Sequence, residues 1–265
     1  MVFRLLLLFS FWPPILQAQV LNIDRENKDD SIFRRWDIAI GLSLSSDKQK
    51  SNLLESSSNV ETILNLRSKY FVASVLKNEL SYNGPTEIQN EGLVHFRFRD
   101  RDTRASSFEV YLQSLWNGQW GLAYRNSINA GYRKRLLERK GYDFYMSLGI
   151  LLESERWNWN GVSPALLPPV IKDVFSTQWR INHQTKISYR ASEWVDFSLI
   201  SYLQPSVTSS KMIPRWVVDA NTYIKAGEKI NVVLHWDHIL DKNVIVPIDK
   251  FFYGFSIGVQ YSNQK

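Results

Sequence analysis

Residues 253–261 read YGFSIGVQY, and their side chains alternate without a slip: Tyr253, Phe255, Ile257, Val259 and Tyr261 are bulky and apolar, whereas Gly254, Ser256, Gly258 and Gln260 are small or polar. Successive side chains of a strand point to opposite faces, so this is a strand with one dry and one wet face. What covers the dry face depends on how far the pattern extends.

The alternation recurs from Trp36 onward. WDIAIGLSL sets Trp36, Ile38, Ile40, Leu42 and Leu44 against Asp37, Ala39, Gly41 and Ser43, the same small inner face as the closing strand. GLVHFRFR opposes Val94, Phe96 and Phe98 to His95, Arg97 and Arg99, and FEVYLQSLWN opposes Phe108, Val110 and Leu112 to Glu109, Tyr111 and Gln113. Ile128, Ala130 and Tyr132 stand opposite Arg125, Ser127, Asn129 and Arg133. WRINHQTKISYR carries Arg180, Asn182, Gln184, Lys186 and Ser188 on its polar side. Segments at Val60 to Tyr70, VLKNELSYN, DFYMSLGILLE, VDFSLISYL, Trp216 to Ile224 and INVVLHWD complete the set. The total is about twelve strands of roughly nine to eleven residues, an even number and the length that crosses an outer membrane when tilted.

The expectation is therefore an all-β chain, a single up-and-down antiparallel transmembrane β-barrel of about 12 strands. Its lumen is lined by Arg67, Lys77, Glu79, Arg97, Glu109, Arg125, Arg180, Lys186 and Asp219, and it closes by pairing Trp36–Leu44 antiparallel with Tyr253–Tyr261. On that seam Trp36, Ile38, Ile40 and Leu42 meet Phe255, Ile257, Val259 and Tyr261 on the lipid side. A soluble sandwich gives the same alternation, but two features favour the barrel. Long interruptions at Ser45–Asn59, Asn83–Glu91, Glu153–Ser176, Gln204–Pro214 and His238–Lys250 alternate with short ones such as Phe71–Val75, while NGQWG and RDRDTRAS break the rule. Aromatics also gather near strand ends, among them Tyr70, Trp116, Trp120, Tyr132, Trp157, Trp194, Trp216 and Trp236, as in interfacial girdles.

Composition agrees. Ten Trp, twelve Tyr and fourteen Phe accompany a mildly negative mean hydropathy, which suits strands wet on one side. Cysteine is absent, which excludes disulfides, thiolate metal sites and a Cys nucleophile. The net charge of +6 is spread in mixed-sign clusters, which argues against a nucleic-acid partner. MVFRLLLLFSFWPPILQA reads as a signal peptide over 1–18: Arg4, an apolar stretch, Pro13 and Pro14, then Ala18. Residues 19–34 read as a polar periplasmic extension, and 35–265 as the barrel.

Several ordered segments carry a family resemblance: WDIAIGLSLSS, NVETILNLRSKY, ELSYNG, NEGLVHFRFRDRDTRASSFEVYLQSLWN and RNSINAGYRKRLL. In this order they resemble the salt-induced outer-membrane (YdiY-like) barrels, a family with a domain of unknown function, in its Bacteroidetes-type form. The resemblance implies an outer-membrane barrel linked in some members to salt or osmotic stress, and it implies no catalytic residues. The chain departs from outer-membrane habit in placing SNQK after Tyr261.

Two clusters stand out for chemistry. NHQT resembles the His-x-Ser piece of outer-membrane phospholipases, with His183 and Thr185 on one face as base and nucleophile, although Thr replaces Ser. HWDH places His235 and Asp237 together on the lumen side. The ordinary alternatives are a lipid-side strand and a polar rim. No metal or cofactor set is legible. The sequence thus describes a Gram-negative cell-envelope barrel in the outer membrane with a structural or stress role. Its lumen charges either pair as a plug or line a narrow pore for ions or small solutes; a lipid hydrolase or protease is the alternative. Partners are outer-membrane lipid and lipopolysaccharide, with the barrel-assembly machinery during biogenesis; oligomeric state is not legible.

Overall fold

The computed structural model of the chain describes residues 36–48, 52–66, 69–100, 105–208, 212–227, 230–242 and 244–261. The expected signal peptide, the 19–34 extension and Arg67 lie outside the described residues, as do the side chains of Trp36 and Tyr261.

Twelve strands follow in chain order: β1 (Trp36–Lys48), β2 (Asn52–Leu66), β3 (Tyr70–Asn83), β4 (Thr86–Asp100), β5 (Ser106–Asn117), β6 (Leu122–Arg139), β7 (Tyr142–Trp157), β8 (Val174–Arg190), β9 (Val195–Pro205), β10 (Pro214–Lys225), β11 (Ile230–Asp241) and β12 (Phe251–Tyr261). Each pairs antiparallel with the next, so the fold is one all-β up-and-down sheet. Apart from a single 3₁₀ turn at Pro164–Leu166, no helix occurs among the described residues.

The sheet curls on itself. Side chains meet between strands that are far apart in its order: Asn182 on β8 reaches Asn129 on β6 and Tyr111 on β5, Arg125 on β6 reaches Asp241 on β11, and Trp120 after β5 stacks on Phe252 of β12. Such contacts place β5 to β12 around a common interior, the barrel expected from the alternation. Backbone pairing runs from β1 to β12, and no β12–β1 ladder is among the described pairings.

Sidedness follows the alternation. Val94, Phe96, Phe108, Leu112, Ile128, Leu148 and Ile150 are exposed, while the inward His95, Arg97, Arg99, Glu109, Tyr111, Arg125 and Asn129 are buried. The largest exposures fall on residues expected to face lipid, with Leu42 at 76% and Val259 at 74%.

Three boundaries differ from expectation. The interruptions expected at Ser45–Asn59 and Asn83–Glu91 are mostly strand, because β1 and β2 pair from Trp36–Leu64 to Lys48–Asn52 and β4 begins at Thr86. The Phe71–Val75 turn is instead inward-facing strand, with Phe71, Ala73 and Val75 all buried, and Tyr70 opens β3 rather than ending β2. Polar Ser and Glu residues pair their backbones as well as apolar ones do, so hydrophobic alternation marks the apolar band and not the full strand. The longest connections do join β7 to β8, β9 to β10 and β11 to β12, and all three lie at the end opposite the start of β1 and the end of β12.

Two inward glycines make room for the interior. Gly149 pairs with Gly131 on one side and Asn182 on the other, and Asn129 and Asn182 meet across it at 3.0 Å. A Cβ at Gly149 would lie 2.7 Å from the Ala130 carbonyl oxygen and 2.9 Å from Asn129 Oδ1. Gly149→Val is expected to lower unfolding free energy in lipid vesicles by about 1–3 kcal/mol through overpacking. Gly258→Ala, where a Cβ meets nothing within 4 Å, serves as the control with little effect. Equal urea midpoints for both variants would contradict this account of Gly149.

Candidate functional site

The interior is the only place where ionisable side chains converge from many strands among the described residues. Of the expected inward charges, Arg97, Glu109, Arg125, Arg180, Lys186 and Asp219 are buried, and Lys77 and Glu79 are partly buried.

Near the long-loop end lies a six-charge cluster of which sequence reading located only Arg125 and Arg180. Glu153 on β7 accepts hydrogen bonds from Arg180 Nε on β8 (2.9 Å) and from Arg215 Nη1 (3.1 Å) and Nη2 on β10. Arg125 on β6 donates from Nε to Glu155 Oε1 at 2.5 Å and from Nη2 to Asp241 Oδ2 at 3.4 Å on β11. Trp157 Nε1 donates to the second Glu155 oxygen at 2.8 Å. Three guanidiniums and three carboxylates from β6, β7, β8, β10 and β11 thus form one network. Buried charges survive only when paired and hydrogen-bonded, and here each has an opposite charge in reach.

Glu153, Glu155 and Asp241 were missed because 153–176 and 238–250 read as loop, and Arg215 because it fell between the 204–214 loop and the strand read from Trp216, whereas β10 begins at Pro214. The available signal was continuation of the alternation: Leu152 outward, Glu153 inward, Ser154 outward, Glu155 inward.

Amide and phenol groups extend the network toward the barrel middle. Arg215 Nε donates to Gln204 Oε1 (2.9 Å), Gln204 Nε2 to Asn182 Oδ1 (2.8 Å), and Asn182 Nδ2 to Asn129 Oδ1 (3.0 Å) and the Tyr111 hydroxyl (3.3 Å). At the opposite end, where β1 starts and β12 finishes, Arg99 donates to Glu109 Oε2 through Nε (3.0 Å) and Nη2 (2.7 Å), with its guanidinium 5.0 Å from the Phe71 ring centre.

An apolar cap covers the six-charge cluster. Trp120 and Trp157, expected in the interfacial girdle, are instead buried with Leu122, Val162 and Val246, and Phe252 packs against them. Register sets the inward side of Trp157, two positions beyond inward Glu155, whereas Trp120 sits in the turn between β5 and β6 and stacks on Phe252; Val162, after β7, and Val246, before β12, join the same buried cluster. Trp116, Tyr132, Trp194, Trp216 and Trp236 do face outward. Beneath the cap a cavity of about 80 Å³ remains.

The catalytic candidates separate. His183 faces outward between Leu148 on β7 and Leu203 on β9, so no carboxylate or amide flanks it in register; Thr185 lies between Met146 and Ser201. His235 faces inward and bonds through Nε2 to Asp219 Oδ2 at 2.9 Å, closer than its sequence neighbour Asp237 at 3.8 Å. The second histidine of HWDH, His238, faces outward among Trp216, Trp236 and Phe251. No cluster of three or more His, Asp or Glu suited to a metal ion occurs among the described residues.

No family model matches the chain, and no curated protein matches it. Among solved structures, the chain is similar to a NanC porin solved in a rhombohedral crystal form, at 10% identity and a TM-score of 0.46, with 85% of this chain and 98% of that one covered.

Glu153→Gln removes the carboxylate shared by Arg180 and Arg215 and leaves buried positive charge uncompensated. It is expected to destabilise the barrel by about 3–5 kcal/mol. Asp196→Asn, which breaks the exposed Arg190–Asp196 pair, is expected to cost less than about 1 kcal/mol. Urea unfolding of both refolded variants checks the contrast.

Proposed function

We propose that this chain is an outer-membrane β-barrel whose lumen is closed by its own paired charges, and which serves the envelope as a structural or stress-related element rather than as a wide diffusion pore. The observation that carries this reading is the network joining Arg125, Arg180 and Arg215 to Glu153, Glu155 and Asp241 across five strands beneath an apolar cap. A water-filled channel needs a continuous polar path, and here the charges are spent on one another.

The outward face supports the membrane. Along β8, Trp179 and Tyr189 are both exposed and ten residues apart, with Ile181 and Ile187 between them on the same face. At ~3.3 Å per residue and a tilt of about 40° that spacing is roughly 25 Å, the height of an outer-membrane apolar band. Water against so large an apolar surface is strongly unfavourable, whereas lipid is not. Export through a cleaved leader, insertion by the barrel-assembly machinery and contact with lipopolysaccharide belong to the same reading. A link to salt or osmotic stress rests on the ordered segments that resemble the salt-induced barrels.

Closure by a β1–β12 seam is part of the proposal. The antiparallel pairing of 36–44 with 253–261 sets Ile40 opposite Ile257, and the chain has no cysteine of its own. Mild oxidation of Ile40→Cys/Ile257→Cys in the folded barrel is expected to give an intramolecular disulfide, visible as a gel shift reversed by reductant. Failure to cross-link in a variant shown to be folded would sink the seam.

Planar-bilayer recording tests the closed lumen. The refolded wild type is expected to be silent, and Glu153→Ala/Arg215→Ala, which deletes one carboxylate and one guanidinium, to show discrete current steps. Sustained conductance from the wild type would overturn the reading.

A further inference from the structure

The β6–β7 hairpin is a strongly charged segment that the closed lumen leaves unused. From Arg133 to Asp143 it carries five cations and two carboxylates, and it turns at the end of the sheet where β1 starts and β12 finishes. Its strands are longer than a crossing needs: β6 has 18 residues and β7 has 16, against ~9–11 for a tilted transmembrane strand. Tyr189, at one limit of the apolar band on β8, stands opposite Tyr142, and Tyr142 stands opposite Arg139. The tip of the hairpin therefore sits at the edge of the band.

A bulge sets which charges face outward there. The register shifts between Arg135 and Leu137, which makes Leu136 the extra residue. Counting by twos from outward Lys134 would put Leu136 and Glu138 on the lipid side and Arg139 inside. With the extra residue, Leu137 stands opposite Phe144 and Arg139 opposite Tyr142 on the outward face, and Glu138 turns inward, where it accepts from Arg135 Nη1 at 2.5 Å. Bulges re-aim side chains in this way. Here a carboxylate leaves the lipid side and a guanidinium takes its place.

Lys134, Arg139 and Lys140 are exposed, and none has an acidic partner among the described residues. Their neighbours Arg135 and Arg190 are paired, with Glu138 and Asp196. A cation at a membrane edge is stabilised when its stem lies along apolar surface and its head reaches phosphate. Exposed Tyr132, Leu136 and Leu137 supply that surface.

We propose that the β6–β7 hairpin is a docking site for anionic phospholipid headgroups, with Lys134, Arg139 and Lys140 each meeting phosphate of the leaflet at that end. The site rests on the membrane-barrel reading, and with residues 19–34 on the periplasmic side this leaflet is the periplasmic one. The ligand is a surface of many phosphates, so cations spread along the hairpin each meet their own headgroup. Two observations choose lipid over a soluble acidic partner. Lys134 and Arg139 lie on the outward face rather than in the mouth, and that face runs on into the apolar band through Tyr132 and Met146.

Electron spin resonance of spin-labelled lipids around the refolded full chain in phosphatidylcholine vesicles tests this. Lipid held at the barrel perimeter gives a motionally restricted component, and the wild type is expected to favour labelled phosphatidylglycerol over labelled phosphatidylcholine by about twofold or more. The preference is expected to vanish in Lys134→Gln/Arg139→Gln/Lys140→Gln and to persist in Lys172→Gln/Lys250→Gln, which removes cations at the opposite end. If the triple variant fails to fold by heat-modifiable gel migration, a reduced preference in Arg139→Gln decides the question alone. No preference in the wild type, or an equal one in the hairpin variant, overturns the proposal. Loss of the preference in inorganic phosphate at constant ionic strength would reassign the hairpin to a soluble anion and overturn it as well. Absence of any restricted component would sink the membrane barrel and this site with it, whereas a restricted component without preference sinks the site alone.

Discussion

Glu153 bonds to Arg180 and Arg215 and stands 3.8 Å from Arg125, so one carboxylate ties β7 to β6, β8 and β10. The rest of the interior is arranged around that junction. Arg125 donates through Nε to Glu155 and through Nη2 to Asp241, Arg215 reaches Gln204, Gln204 reaches Asn182, and Asn182 carries the chain of hydrogen bonds on to Asn129. Each group would be costly if left unpaired in a dry interior, and this is why the network is dense. The same chemistry explains the glycines. Long side chains from β6 and β8 meet over β7 only because Gly149 offers no side chain there.

The molecule is an inverted globule: apolar outside, polar and charged inside. That inversion fits lipid as the outer medium, since the exposed Leu, Ile, Val and Phe of the outward face have no core to enter. It also changes what the inward charges can do. In water a pair such as Arg190–Asp196 contributes little because solvent screens it. Enclosed by a sheet and capped by Trp120 and Trp157, the equivalent pairs at Glu153 become structural, and breaking one leaves a charge with nowhere to go.

The cap itself shows where local pattern and tertiary context part. Tryptophans at strand ends read as interfacial anchors, and Trp116, Trp194, Trp216 and Trp236 fit that reading. Trp120 and Trp157 have the same local look but face inward: register selects the side of Trp157, and Trp120, in the turn between β5 and β6, is held inward against Phe252. The Ser-rich hairpin of β1 and β2 shows the same limit from another direction. No apolar alternation marks residues 52–59 as strand, yet they pair with 41–48, since a backbone ladder already running in register gains a hydrogen bond with each further pair.

Period-two alternation over about 12 segments determined the all-β class and the face on which the charges within those segments lie, because strand geometry allows only two sides and a one-residue slip would put arginines on the apolar face. The inward placement of Arg97, Glu109, Arg125, Arg180 and Asp219 follows from that periodicity alone. Which carboxylate meets which guanidinium was decided only by the tertiary structure. Arg125 and Asp241, or Glu153 and Arg215, are far apart in sequence and become neighbours only when the sheet curls and the long loops fold over its mouth. Pairing across a lumen depends on curvature and side-chain reach, and neither leaves a periodic trace in a single chain.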